Sequence, residues 1–136
     1  DSTLSAIYRG LGYVALHEGK DQQAEVHFHQ ALKVAREYDL VRGRNLCIAG
    51  FASLAAVRKE PVIATRLLGA FFAQVEALQN ESKSKQKMIE PVDQMEIEEY
   101  LALCKAQVDE TVFTEAWNAG MALTLDEVLS EIQKTS

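Results

Sequence analysis

Apolar side chains recur at intervals of three and four residues along most of the chain, which is typical of helices that bury one face. A shift of the sequence by forty residues superimposes two such stretches, with small residues on small residues and large apolar residues mostly on large ones. The pattern predicts two repeat units, residues 3–40 and 41–79, each made of two antiparallel helices. The superimposed pairs are Leu11 with Phe51, Gly12 with Ala52, Ala15 with Ala55, Ala24 with Ala64, Phe28 with Leu68 and, as the one poor pair, Ala31 with Phe71.

Small residues mark the predicted crossing of the two helices in the first unit. Gly12 and Ala24 leave no bulk where these helices approach each other. Leu11 and Phe28 are expected to fill the space beside them.

The breaks between helices carry residues that favour helix starts. Asp21 follows the turn residues Gly19 and Lys20, and it is predicted as a cap because its carboxylate can accept a hydrogen bond from a helix N–H. Pro61 occupies the equivalent break in the second unit. It suits the first helical position, where proline's missing N–H costs nothing.

The remainder of the chain predicts a loop followed by three helices. Residues 80–90 are rich in Ser, Lys, Gln and Glu, which indicates an exposed, mobile loop. Residues 91–136 predict three helices that cap the open end of the two-repeat stack: one begins at Pro91, one ends near Gly120, and one begins with a capping box of Thr124 and Glu127. Their apolar faces are predicted to comprise Ile97, Tyr100, Leu101, Cys104 and Val108, then Val112, Phe113, Ala116 and Trp117, then Val128, Leu129 and Ile132.

The first unit resembles the tetratricopeptide (TPR) repeat, whose first helix carries W-x2-L-G-x2-Y and whose second carries A-x3-F. Tyr8 replaces the usual Trp, Arg36 stands where a closing Pro is common, and the unit is longer than the usual ~34 residues, so the resemblance is to a long, divergent variety. It implies an all-α fold: one domain over residues 1–136, in which about seven helices stack as antiparallel pairs in a TPR-like α-α superhelix. The matching residues are Tyr8-x2-Leu11-Gly12-x2-Ala15 and Ala24-x3-Phe28-x2-Ala31.

Two longer stretches are similar to the C-terminal TPR region of large multidomain bacterial transcriptional regulators. These regulators are signal-transduction ATPases of the maltose-activator kind, often with LuxR-type DNA-binding domains. The resemblance implies that the ATPase and DNA-binding parts lie elsewhere in a longer chain, and that this region senses inducers or holds protein partners. The stretches are Leu11-Gly12-x3-Leu16-x2-Gly19-x4-Ala24-x3-Phe28-x2-Ala31-Leu32-x2-Ala35-Arg36-Glu37 with Ala49-Gly50-x3-Leu54-Ala55 and Ala64-x-Arg66-Leu67-Leu68-Gly69-Ala70, and Phe113-x2-Ala116-Trp117-x2-Gly120-x4-Leu125-Asp126-Glu127-Val128.

Composition and charge narrow the classes of function. The 136 residues include only seven Gly and two Pro, and their net charge is −6, with 13 of the 20 acidic residues in the second half. A chain without a basic stripe cannot neutralise nucleic-acid phosphates, so we expect no direct contact with nucleic acid. No apolar run approaches the ~18 residues of a membrane span, and no membrane contact is predicted. Cys47 and Cys104 form no CxxC motif and predict reduced core thiols in a cytoplasmic protein.

The candidate binding site is the inner, concave face of the stack. Arg9, Tyr13 and His17 are spaced four residues apart on the first helix, where Arg9 could hold a carboxylate and Tyr13 could supply an aromatic wall. The corresponding face of the second unit is nearly all apolar, apart from Ser53. An apolar inner wall is often covered by the protein's own helices, so both an open groove and a covered one remain possible.

The sequence gives no reason to propose catalysis. His17, His27 and His29 do not share a metal-binding or acid–base spacing, and no nucleotide-binding loop G-x-x-x-x-G-K-[ST] occurs. No catalytic residue, metal ligand or cofactor is therefore predicted. The acidic residues around Glu96 and Glu99 are interpreted as a solvated face that could meet a basic partner.

The predicted function is that of a non-catalytic module for protein interaction, oligomerisation or effector sensing in a bacterial transcriptional regulator. Its partner is expected to be another protein or other domains of the same polypeptide. The first helix is expected to expose an apolar face, with Leu4, Ile7 and Val14, that a preceding repeat of a longer chain would cover. Self-association through this face is therefore expected, either as a property of the protein or as an artefact of the missing repeat. The alternative is a sensor that binds a small-molecule inducer in a pocket between the repeats and the capping helices, near Tyr13, Trp117 and Tyr100.

Overall fold

The computed structural model describes residues 2–82 and 89–134, and all regular structure in these ranges is α-helical. The prediction of an all-α fold with about seven helices is confirmed, and the packing of successive helices is consistent with stacked helical hairpins. The helices are α1 (Ser2–His17), α2 (Asp21–Glu37), α3 (Val41–Val57), α4 (Pro61–Ser82), α5 (Pro91–Gln107), α6 (Glu110–Met121) and α7 (Leu125–Lys134).

The first four helices are joined by three copies of one turn. Each copy has a residue with positive φ, namely Gly19, Asp39 or Lys59, so the turns recur every twenty residues. In each, the next N–H bonds to the carbonyl of Ala15, Ala35 or Ala55 at 2.8–2.9 Å, as in a Schellman motif. The next helix begins two residues after the positive-φ position, at residue 21, 41 or 61.

This turn overturns the predicted cap at Asp21. The cap position is Lys20, which makes no side-chain capping bond, and Asp21 is the first helical residue. Its carboxylate instead accepts a hydrogen bond from Nε of Arg58 at 2.8 Å. Arg58 also donates to Glu25 at 2.6 Å, so one guanidinium at the end of α3 forms hydrogen bonds with two carboxylates in the first turns of α2. Pro61 begins α4 as predicted.

Phe28 of α2 is fully buried between α1 and α3. A Cβ atom added to Gly12 or Gly50 would lie 2.5–2.7 Å from its ring, so α1 and α3 each offer a glycine where the ring packs. The predicted role of Gly12 at the crossing is thus supported, but that of Leu11 is wrong. Leu11 is 42% exposed on the outer face of α1, and Phe28 itself fills the space beside Gly12.

Helix α3 is the central element. Every residue from Asn45 to Ala56 is buried, because α1, α2, α4 and α5 all pack against this helix. Cys47 of α3 and Cys104 of α5 are both buried thiols without a disulfide, as predicted. Burial raises the pKa of Cys47 to about 12, which keeps this thiol protonated and unreactive.

Helix α4 extends further than the sequence indicated. Residues 80–82 of the predicted loop belong to this helix, residues 83–88 of that loop lie outside the described ranges, and Ile89 and Glu90 lead into α5. The segment Pro61–Glu81 has the length and apolar composition of a membrane span. It packs against α3 and α6 with Leu68 and Phe71 fully buried, and core helices share that composition. The predicted lack of membrane contact therefore stays a prediction.

The last three helices begin as the sequence predicted. Pro91 is the first residue of α5, and the stripe of this helix buries Ile97, Tyr100 and Cys104. The capping box at α7 is present, since Thr124 and Glu127 exchange hydrogen bonds of 2.9 and 3.2 Å. Helix α6 ends at Met121, one residue past the predicted Gly120.

Candidate functional site

Helix α5 lies across the face that was predicted to be the concave binding surface. Its Asp93 carboxylate is 3.6 Å from Nε of Arg9, and both side chains are mostly buried. Its Tyr100 ring stacks near Tyr13, with the ring centroids 6.2 Å apart. The face is therefore covered by the protein's own helix.

Tyr13 and Ser53 meet beneath α5. The Ser53 hydroxyl donates to the carbonyl of Ala49 at 2.9 Å, so the Tyr13 hydroxyl is the donor in the 3.5 Å bond between Tyr13 and Ser53. Burial raises the pKa of Tyr13 well above its ordinary value, and that of Tyr100 to about 12. Both phenols are therefore neutral at physiological pH, and no described group lowers either pKa enough to make it an acid–base group.

His17 lies at the exposed end of the same face. Its Nε2 is 2.9 and 3.0 Å from the two carboxylate oxygens of Glu96, and its side chain is 47% exposed. The hydrogen bond to Glu96 raises the pKa of His17 above its ordinary value of 6.5. Donor atoms of His17, Glu96 and Glu99 all lie within 4.8 Å of one another.

The four predicted residues do lie together, but they differ in access. Tyr13 and Ser53 are buried, Arg9 is nearly so, and only His17 is open to solvent. A ligand therefore reaches Tyr13 or Ser53 only if α5 moves away. The binding role of these four residues stays a prediction.

Sequence reasoning missed the meeting of His17 with Glu96 and Glu99. The two glutamates were recognised as neighbours on one helix face, but His17 precedes Glu96 by 79 residues. Asp93, Glu96 and Tyr100 share one face of α5, but their spacing does not indicate which residues of α1 they contact.

Trp117, which was predicted to share a pocket with Tyr13 and Tyr100, contacts other rings in the structure. It stacks on Phe113 with the ring centroids 5.7 Å apart, and it also contacts Phe72. Two adjoining cavities of about 320 and 400 Å³ lie between α5 and α6, and Lys105 lies over the Phe113 ring. They are lined by Leu101, Lys105, Val108, Glu110, Phe113, Thr114 and Trp117.

A second cleft lies between α2 and α7. Its volume is about 280 Å³, Leu32, Leu129 and Ile132 supply apolar lining, and its charged lining residues are Lys33, Arg36 and Glu37. His29 also lines it, with its ring 4.7 Å from that of Phe51. This cleft has residues of the first repeat unit on one side and residues of a capping helix on the other.

The outer face of α1 exposes four large apolar side chains. Ile7 and Val14 are 53% and 54% exposed, and Leu4 and Leu11 are 40% and 42% exposed. The other exposed residues of this arc before His17 are Thr3, Ala6 and Gly10, so no charged side chain interrupts the arc. Surface helices normally carry charged residues on such a face.

Comparison of the chain with protein-family models, with curated protein sequences and with solved structures finds no match in any of the three.

Proposed function

We propose that this chain is a non-catalytic interaction module that pairs with a second copy of itself through the outer face of α1. The resemblance of its motifs to bacterial transcriptional regulators supports a setting in such a regulator, in the cytoplasm, where pairing of this region would bring two regulator chains together. The observation that carries the proposal is the uncharged apolar arc of α1.

The spacing of the arc suits a pair of helices. Leu4, Ile7, Leu11 and Val14 follow one another at intervals of three, four and three residues, which is the a/d pattern of a coiled-coil seam. The pattern is symmetric about a point near residue 9. Two antiparallel copies of α1 would therefore set Leu4 against Val14 and Ile7 against Leu11, as a twofold interface requires.

Electrostatics favour a second copy over a charged partner. Arg9, the charged residue nearest the middle of α1, points away from the arc toward Asp93. Ala6 and Gly10 are small and exposed, and a Cβ atom on Gly10 would touch nothing within 4 Å, so a second helix can approach closely. A seam of four apolar residues is small, and we expect a dissociation constant on the order of micromolar or weaker.

Sedimentation equilibrium over a range of concentrations tests this proposal. We expect a reversible dimer for the unaltered chain and a monomer for Ile7→Glu and Val14→Glu. Val26→Glu is the matched control, because Val26 is 56% exposed on α2 outside the arc. A chain that stays monomeric, or a Val26→Glu change that weakens the dimer as much as Val14→Glu, contradicts the proposal.

A second candidate function is the sensing of a small molecule in the cleft between α2 and α7. The cleft has apolar lining, and its two cations, Lys33 and Arg36, outnumber its one carboxylate, Glu37, so it fits a small carboxylate with an apolar body. Thermal-shift measurements with a panel of such carboxylates test it. A rise in melting temperature that disappears in Lys33→Ala/Arg36→Ala supports the sensor, and no shift with any compound counts against it.

A further inference from the structure

A mixed nitrogen and oxygen donor set joins the end of α1 to the middle of α5. His17, the last residue of α1, faces Glu96 and Glu99, which lie three residues apart on one face of α5. Glu96 engages His17 through both carboxylate oxygens. Glu99 is exposed and makes no hydrogen bond or ion pair with another residue in the described ranges, so its carboxylate is available.

From this arrangement we infer that His17, Glu96 and Glu99 bind one Zn²⁺ ion per chain. An imidazole nitrogen and two carboxylate oxygens are ordinary zinc ligands, and three protein ligands leave a fourth position for water. Two carboxylates beside a neutral imidazole carry two negative charges, which balance the charge of the ion. Arg9 does not compete for these carboxylates, because it pairs with Asp93 one turn earlier on α5.

The distances are close to those a zinc ion needs. Ligand bonds of about 2.0–2.2 Å in a tetrahedral site separate the donor atoms by roughly 3.4 Å. Nε2 of His17 and the nearer Glu96 oxygen lie 2.9 Å apart, so these two donors must separate by about half an ångström. All three donors lie within 4.8 Å of one another, so Glu99 must approach by up to about 1.4 Å, and its exposed side chain has the freedom to do so.

The imidazole ligand makes the site prefer Zn²⁺ to Ca²⁺ or Mg²⁺. Ca²⁺ and Mg²⁺ take oxygen ligands and prefer more of them than this cluster offers. Zn²⁺ accepts nitrogen and oxygen together. The two buried cysteines are not rival sites, because neither Cys47 nor Cys104 is accessible.

The test is calorimetric titration of the whole chain with ZnCl2. We expect one ion per chain and a melting temperature that rises with the free Zn²⁺ concentration, because the ion links α1 to α5. His17→Ala and Glu99→Gln should each weaken binding by at least about tenfold, since even residues behind a ligand often matter that much. Glu98→Gln removes the same charge from the same helix outside the cluster and should change the affinity by less than about twofold.

Three results would overturn the inference: no Zn²⁺ binding, binding that survives both His17→Ala and Glu99→Gln, or Ca²⁺ binding as tight as Zn²⁺ binding. Equal losses in Glu98→Gln and Glu99→Gln would also overturn it, because they would indicate general attraction to an acidic surface. Glu99→Gln disturbs no bond in the described structure, so it remains informative if His17→Ala unfolds. A titration of the Ile7→Glu chain removes any ion shared between two copies, so the site is tested independently of self-association.

Discussion

The first four helices and the last three begin and pack by different means. Each turn from α1 to α4 uses the same backbone hydrogen bonds, repeated every twenty residues. The last three helices lack this repeated turn. A proline begins α5, as one also begins α4, an Asp109 carboxylate accepts from the Val112 N–H at 2.8 Å at α6, and a capping box begins α7. A turn that repeats along the backbone can be detected because the sequence resembles itself at a fixed offset. Caps that differ from helix to helix must each be recognised separately.

The packing of the two regions differs in the same way. In the first region, a large side chain fills the space between helices, because Phe28 packs against Gly12 and Gly50. In the second region, backbone meets backbone. A Cβ atom on Gly120 would collide with the Arg66 carbonyl, and one on Gly69 would collide with the Trp117 carbonyl. Helix α6 is thus held to α4 by close approach of two helix backbones.

The largest expected effect comes from removing the side chain at the centre of the first region. Phe28→Ala should lower the free energy of unfolding by about 3–5 kcal/mol, because it leaves a cavity among α1, α2 and α3. Urea unfolding followed by circular dichroism measures it. Val26→Ala, at an exposed position of the same helix, should change stability by less than about 0.5 kcal/mol. Similar losses for both variants would mean that Phe28 is not the centre of this core.

A single methyl group added at Gly120 should disrupt the backbone contact between α4 and α6. Gly120→Ala should cost about 3 kcal/mol, because the Arg66 backbone cannot move aside as a side chain can. The same unfolding measurement checks it. Gly10→Ala is the control, measured at a concentration below that at which chains pair: its Cβ meets nothing within one chain, and alanine's helix propensity should make it neutral or more stable by up to about 1 kcal/mol. A harmless Gly120→Ala would show that α6 packs less closely.

The cap of the last helix should contribute less. Thr124→Ala removes the hydroxyl that accepts from the Glu127 N–H and should cost about 1 kcal/mol. Hydrogen exchange should localise the loss to α7, with little change in α1–α4. Equal loss of protection in both regions would indicate that the regions unfold as one unit.

The smallest effect concerns the ion pairs of the first region and depends on pH. The hydrogen bond from Arg58 holds the pKa of Asp21 below its ordinary value of 3.8. A carboxyl group with a depressed folded-state pKa stabilises the fold above its unfolded value, and that contribution is lost as the pH falls through the folded value. The unaltered chain should therefore melt slightly higher than Asp21→Asn at pH 6, with the difference fading toward pH 2. A difference that does not change with pH would assign the effect to something other than this charge.

The sequence predicted the elements better than their faces and partners. The helix starts at Pro91 and Thr124 were predicted from local sequence preferences, and both predictions are confirmed. Leu11 was misassigned because a helical period gives the angle between side chains but not which arc faces inward. Asp21 was misassigned because the turn before it is satisfied by backbone bonds and needs no side-chain cap.

The site was only partly predictable for a related reason. Arg9, Tyr13, His17 and Ser53 do share one face, as their spacing indicated. That α5 covers this face depends on contacts between residues about eighty positions apart, such as His17 and Glu96. Two segments that carry the regulator resemblance also meet only in three dimensions, where Gly69 and Gly120 allow α4 and α6 to touch. The spacing of residues within one helix does not indicate which distant helix will pack against it.

Disulfide trapping tests the proposed pairing of α1 most directly. In an antiparallel pair, position 7 of one chain lies opposite position 11 of the other, so a mixture of Ile7→Cys and Leu11→Cys chains should form mixed disulfides rapidly under mild oxidation. Cys47 and Cys104 are buried and should not interfere. The account predicts fast mixed dimers for this pair and none above background for Val26→Cys with Leu11→Cys. Equal cross-linking in both mixtures, or none in either, would contradict it.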